Sequence, residues 1–402
     1  MRAGTRFGAA GLSCALQRVV LGSTQSRSAI KIARDLEDMG ATVSAKSGRE
    51  VFAVTGESLR DFAPELTEAL VESATQLKLW PWEVSEALHD FEGVLESHAG
   101  DAVTAVTEGV HAAAFGAASP LGRSLLASAD ELHEVDAEAV RAFLGQHLVG
   151  SNVVLSATNV DHKALVAMAE NMLASVPQGA PAASAKAAVV GGESLLRSHG
   201  GGAHIALALP APAQGSAQYH ALGVLQGLLG GSGSRGPPGQ PRLGYQRQTR
   251  ISMAAGKAEA SGALLRSATA FAFPYSDAGL LGVAGMCSDA DAGRFVAAAV
   301  GLLKDVAGKP IASAELDRAK RAYKLAYLAD VEGRQGARDE AGAALLMGRR
   351  LGAAETLKAI DAVTADQVAA VVRTALKGPP SISATGSLSA VPRYDVLANS
   401  LL

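Results

Sequence analysis

Two stretches of the chain carry the same sequence pattern, a polar residue followed by an apolar stripe at helical spacing. In the first, Asp136 stands where an N-cap belongs, and Val140, Phe143, Leu144 and Leu148 follow at i, i+3, i+4 and i+8. In the second, Thr364 takes the capping position and Val368, Val371, Val372 and Leu376 repeat the stripe. Asp136 and Thr364 are 228 positions apart, as are Leu148 and Leu376. Each helix is expected to run into a short apolar strand ending Ser-Ala-Thr, at Ser156–Thr158 and at Ser383–Thr385. A cap, a stripe and a following strand repeated in step predict an internal duplication, and two copies are too few for a solenoid.

The remaining pattern alternates helices with hairpins. A helix over 28–39 is closed by Gly40, with Ile32 and Leu36 on its apolar face. Thr42, Val43, Val51, Val54 and Thr55 flank a polar turn at 46–49 and predict a hairpin over 41–58. An amphipathic helix then carries Leu66, Ala69, Leu70 and Leu77 and stops near Trp80-Pro81. Helices over 83–96 and 101–115 follow, and Ser119-Pro120 marks a turn. In the second half, strands are expected at 204–209, 264–274 and 280–285, and helices at 216–229, 290–306 and 313–331, the last two echoing the helix pair at 62–96. Mixed order with antiparallel hairpins makes the fold class α+β. Between Val176 and Gly202 the composition turns to Pro, Ala, Ser and Gly, which suits a linker. The expected organisation is an N-terminal domain over 1–180, a linker over 181–202 and a C-terminal domain over 203–402.

A length of 402 residues agrees with two domains rather than one enlarged core. Hydrophobic residues make up 48% and charged residues 19%, with mean hydropathy +0.17, so core material is ample. A net charge of −3 offers no electrostatic case for nucleic acid. No apolar run approaches the roughly 18 residues of a bilayer span. Cys14 and Cys287 are the only cysteines, which argues against a disulfide scaffold and suits a reducing compartment. The first 34 residues hold Arg2, Arg6, Arg18, Arg27, Lys31 and Arg34 and no acidic residue, a composition shared with mitochondrial transit peptides.

Short motifs exclude more than they suggest. Residues 231–236 satisfy G-x-G-x-x-G, yet a helix precedes them and Pro237, Pro238 and Pro241 follow where a phosphate-binding helix would begin. A surface loop is the expectation for 230–244. Ser28-Ala-Ile-Lys31 matches S-x-x-K without the companion motifs of that chemistry and reads as helix surface. The nine histidines form no H-E-x-x-H, H-x-x-E-H or i, i+4 pair. His111 reads as a satisfied semi-buried histidine, and Glu92 with Glu96 as a solvated helix face.

Seven strings in shared order resemble the pitrilysin-like zinc metallopeptidase family across nearly the whole chain. They are RDLEDMGATVSAKSGREVFAVTGESLRD, WPWEVSEAL, HAAAF, PYSDAGLLGV, VEGRQGARDEAGAALLMG, IDAVTADQV and SATGSL. The resemblance implies two homologous α/β roll domains from an internal duplication, with mixed, largely antiparallel sheets packed with helices. Active members carry H-x-x-E-H on a first-domain helix, with a further glutamate ligand downstream. Alignment on Gly11 and Gly22-Ser23 puts Cys14, Gln17 and Arg18 at those positions, with Glu96 as the downstream candidate. Arginine stays protonated and glutamine takes no proton from water, so the resemblance implies a degenerate member with no catalytic, metal-binding or cofactor-binding residues and no cofactor. It further implies a structural subunit that packs against a homologous chain on the matrix side of the mitochondrial inner membrane. That subunit would support cytochrome b and cytochrome c1 and reach the membrane only through its partners. The alternative it implies is a non-catalytic, presequence-binding subunit that uses the loop 230–244. It also assigns Arg2 to Arg34 to the folded domain and leaves no room for the family's presequence and first strand.

Overall fold

The computed structural model describes residues 10–98, 100–180, 185–198, 202–231, 249–254, 265–348 and 352–401. The glycine-rich loop expected at 230–244 lies almost wholly outside them. The chain divides into two compact units that interleave in sequence. The first comprises 1–100, 123–185 and 334–350, and the second 101–122, 186–333 and 351–402. Along the first half run α1 (Ala10–Val19), α2 (Ala29–Asp38), β1 (Thr42–Ser47), β2 (Phe52–Glu57), α3 (Ala63–Thr75) and α4 (Pro81–His98). After them come α5 (Ala102–Phe115), α6 (Ala129–His133), α7 (Ala137–His147) and α8 (His162–Met172).

In the first unit, local chemistry sets most boundaries. Ser28 caps α2 by accepting from the Lys31 N–H, and Gly40 leaves the helix at φ +59°, where a side chain would be strained. Pro64 and Pro81 sit in first turns, where no intrahelical N–H bond is lost. β1 and β2 pair antiparallel from Thr42 with Glu57 to Ser47 with Phe52. The core is built from Cys14, Leu16 and Val19 of α1, Val84, Leu88 and Phe91 of α4, and Val140 and Phe143 of α7. Residues 10–34, whose composition is transit-like, thus include α1 and the start of α2, folded into this unit.

The second unit is organised around a five-stranded sheet of order β3-β7-β4-β6-β5. Its strands are β3 (Gly192–Arg197), β4 (Ala203–Pro210), β5 (Leu265–Pro274), β6 (Gly279–Cys287) and β7 (Ser381–Gly386). β3 runs parallel to β7 and every other neighbour pair is antiparallel. β4 alternates two apolar faces. Ile205, Leu207 and Leu209 join a core with α9 (Tyr219–Leu229) and the helices Ala292–Gly308 and Ala365–Ala375. Ala206 and Ala208 meet Val106 and Val110 of α5 on the opposite face. Burial on both faces explains why β4 reads as an unbroken apolar run.

Both repeated helices form as the pattern predicts. Asp136 accepts from the Ala139 N–H, and Thr364 forms a capping box with Gln367. Two expectations are corrected. The 181–202 linker fails over 192–197, which is β3; a segment bounded by Gly and Pro becomes a strand because β7 offers it a free edge. The strand expected to end at Thr158 is absent, since 153–157 carries no regular structure and no ladder pair among the described residues. Its counterpart β7 has a ladder on each side, and ladder bonds rather than composition make a strand.

Candidate functional site

α1 carries Cys14, Gln17 and Arg18, the residues expected at two ligand positions and the general-base position. Leu12, Ala15, Leu16 and Val19 place this helix in the core of the first unit, where it packs against α4, β1, α6 and α7. Cys14 points inward, 1% exposed, and its Sγ donates to the Leu125 carbonyl at 3.4 Å. Burial pushes its thiol up to about 11, so the group is neutral at pH 7. The Gln17 Oε1 accepts from the Ser47 N–H at 3.3 Å, which fastens α1 to the end of β1. Arg18 is exposed, its guanidinium 5.8 Å from the centre of the Phe91 ring. Glu96 lies exposed on α4. The four positions lie in different surroundings. Among the described residues, no group of three or more His, Cys, Asp or Glu side chains is placed to hold a metal ion.

A cleft of ≈430 Å³ opens between α4 and the α6–α7 turn, lined by Pro81, Val84, Leu88, His89, Glu92 and His133 among others. The Glu92 carboxylate lies 3.2 Å from His89 Nδ1 and 3.9 Å from His133 Nε2. Glu92 is therefore half-buried and engaged rather than freely solvated. Sequence reasoning missed this trio because His133 comes from another helix; only the i, i+3 spacing of His89 and Glu92 was there to be read. His111, in the second unit, is the satisfied histidine that was expected. Its Nδ1 donates to the Thr107 carbonyl at 2.7 Å, which leaves Nε2 to accept from the Tyr275 hydroxyl at 2.7 Å.

Comparison with known proteins defines the class. Residues 8–129 match the family described as insulinase (peptidase family M16), and residues 134–323 match the peptidase M16 inactive domain. The chain belongs to peptidase family M16, with the α+β fold of that family. Among its relatives is the probable mitochondrial-processing peptidase subunit alpha-1 of Arabidopsis thaliana, 30% identical over 96% of this chain and 75% of that protein. Cytochrome b-c1 complex subunit 2 of Neurospora crassa is 30% identical over 97% of this chain and 84% of that protein. A solved chain of complex III2 from Candida albicans superposes with TM-score 0.81, covering 100% of this chain and 92% of the other at 18% identity.

Proposed function

We propose that this chain is a non-catalytic core subunit of the mitochondrial ubiquinol–cytochrome c reductase, in the position of core protein 2. It pairs there with the homologous core protein 1 and supports cytochrome b and cytochrome c1 from the matrix side of the inner membrane. The observation that carries the reading is the likeness to cytochrome b-c1 complex subunit 2 along nearly the full chain. The donor chemistry on α1 supports it. A neutral buried thiol, an amide engaged by Ser47 and a guanidinium do not fit a zinc ion, and none can act as the general base of a peptidase. No described helix is long and apolar enough to cross a membrane, so attachment through partners is consistent with the fold.

The duplication is part of the proposal, with copies over 1–180 and 203–402; β3 extends the second copy back to Gly192. Gly109 of the first copy lies against Ser383 of the second, while Gly342 of the second lies against Ser156 of the first. That exchange is what two related copies would leave.

Native electrophoresis of mild-detergent mitochondrial extracts tests the function: the chain is expected to co-migrate with cytochrome b and to resist release by high salt. Recovery mainly as a free species of 40.7 kDa would overturn it. Elemental analysis is expected to find no stoichiometric zinc, and Cys14 should resist alkylation at pH 8 until the chain is unfolded. The second reading, an alpha-type substrate-binding subunit of the processing peptidase, is favoured by the equal identity to the Arabidopsis relative. Capture of the chain by a basic presequence peptide, lost on deleting 230–244, would select it.

A further inference from the structure

On the first unit an aromatic surface is held open by a strained turn. Leu79 has φ +53°, a left-handed conformation that is costly for a branched side chain, and its side chain is only 4% exposed in the core. The turn is pinned on its near side, where the Lys78 N–H donates to the Ser23 carbonyl at 2.9 Å, and on its far side, where the Val84 N–H donates to the Trp80 carbonyl at 3.0 Å. With Leu79 turned inward, Trp80 and Trp82 stack outside, ring centres 4.6 Å apart and planes 15° from parallel. The Lys78 ammonium sits 4.7 Å over the Trp80 ring. Trp82 is nonetheless 61% exposed, so its outer face is open to solvent. Two ordered, solvent-facing indoles are a poor use of surface unless something covers them.

Charge on the same helix face indicates what does. Trp82, Glu86 and Asp90 follow one another at i, i+4 and i+8 of α4, and all three are exposed. Of the carboxylates of α4, Glu83 is engaged by Ser23 and Glu92 lies against the two histidines, whereas Glu86 and Asp90 have no ion-pair partner among the described residues. The stack already shows the alternation of a cation on one indole, and the free face of Trp82 offers a second such place, with a carboxylate about 6 Å further along the helix. A guanidinium satisfies both, since its plane stacks on an indole while its N–H fork takes a carboxylate. A lipid surface fits less well, because Glu86 and Asp90 repel anionic headgroups.

We propose that the Trp80–Trp82 platform with Glu86 and Asp90 is a docking surface for an arginine-bearing segment of a partner subunit. The proposal rests on the core-subunit reading for the identity of the assembly but not for the surface itself. The test places a photo-crosslinking amino acid at Ser85 of the full chain in mitochondria. It also compares E86K/D90K, W82A and a control reversal, D38K, by co-sedimentation with the assembly. The crosslink is expected on a segment carrying arginine. E86K/D90K and W82A should each lower the assembled fraction at least about tenfold while D38K leaves it unchanged, and thermal melting should show E86K/D90K folded. Changing the captured arginine to glutamate should restore assembly of E86K/D90K. A crosslink to lipid, or to a segment without arginine, would overturn the proposal, as would assembly of E86K/D90K at the wild-type level. If the wild-type chain does not sediment with cytochrome b, the core-subunit reading fails, and the surface is judged on whichever assembly holds the chain. A wild-type chain found only as monomer overturns both.

Discussion

α5 and the helix Arg334–Leu346 take matching positions in the two copies, yet they are held in opposite ways. Each places a glycine against the serine of a Ser-Ala-Thr segment, Gly109 at Ser383 and Gly342 at Ser156. α5 buries seven residues, among them Val106, Val110 and Phe115. Arg334–Leu346 buries none. What differs is the floor beneath. Under α5, Ser383 belongs to β7, an interior strand of a five-stranded sheet whose alanines admit the helix closely. Beneath the other helix, Ser156 lies in a segment outside any strand, and the attachments are polar: its hydroxyl donates to the Arg338 carbonyl at 2.9 Å, and Arg334 pairs with Glu57. The same sequence slot becomes core or surface according to whether a sheet has formed under it.

The largest effect expected from this contrast is at the apolar contacts. Phe115, 3% exposed, packs with Leu121 and Leu280, and Phe115→Ala should cost about 3–5 kcal/mol in urea unfolding. Leu345, 46% exposed on the other helix, should change stability by no more than about 0.5 kcal/mol when cut to alanine. Equal costs at the two sites would break the comparison. Hydrogen exchange sharpens it, because the α5 amides should open only with the unit as a whole while those of Arg334–Leu346 open locally.

Next come the two glycines. A Cβ on Gly109 would lie 2.3 Å from the Ser383 hydroxyl and 2.9 Å from that of Ser194. Rotation of two serines can absorb a methyl group but not a branched side chain, so Gly109→Val should destabilise by about 1–3 kcal/mol. At Gly342 the nearest atom would be 3.5 Å away, an ordinary contact. Gly342→Ala is therefore expected to stabilise by up to about 1 kcal/mol through helix propensity alone. Opposite signs at equivalent glycines, read from melting of the two variants, are the outcome that supports the contrast.

These differences show which parts of the fold were legible in the chain. Caps and stripes were, because Asp136 and Thr364 act on N–H groups three residues away. The strings around α1 carry the resemblance to the family, and the chemistry of Cys14, Gln17 and Arg18 is what suggested a helix without zinc ligands or a general base. Long-range pairing was not legible. Gly192–Arg197 looks like linker until β7, almost 200 positions later, gives it an edge, and 153–157 has strand composition without a neighbour. The exchange of α5 into the second unit was equally hidden, since Val106 and Val110 say only that one face is apolar and not that Ala206 and Ala208 cover it. Glu92 escaped for the same reason, its partner His133 lying on another helix.

The smallest expected effects concern the polar attachments of Arg334–Leu346. Ser156→Ala removes one side-chain donor from a helix carbonyl that water can reach, and should cost about 0.5–1.5 kcal/mol. The Arg334–Glu57 pair should contribute less, because the arginine side chain is 76% exposed and the glutamate 38%. Solvent screens such a pair, and ordering two long side chains offsets part of the attraction, so a double-mutant cycle with Arg334→Ala and Glu57→Gln is expected to return about 0–1 kcal/mol. Whatever coupling appears at low ionic strength should fade as salt approaches 1 M, where the Debye length is about 3 Å. Phe115→Ala should keep its full cost under the same salt, since apolar burial is not screened. A salt-resistant coupling of several kcal/mol at Arg334 and Glu57 would mean that this helix is held by a buried contact after all, and the distinction between the two slots would fall.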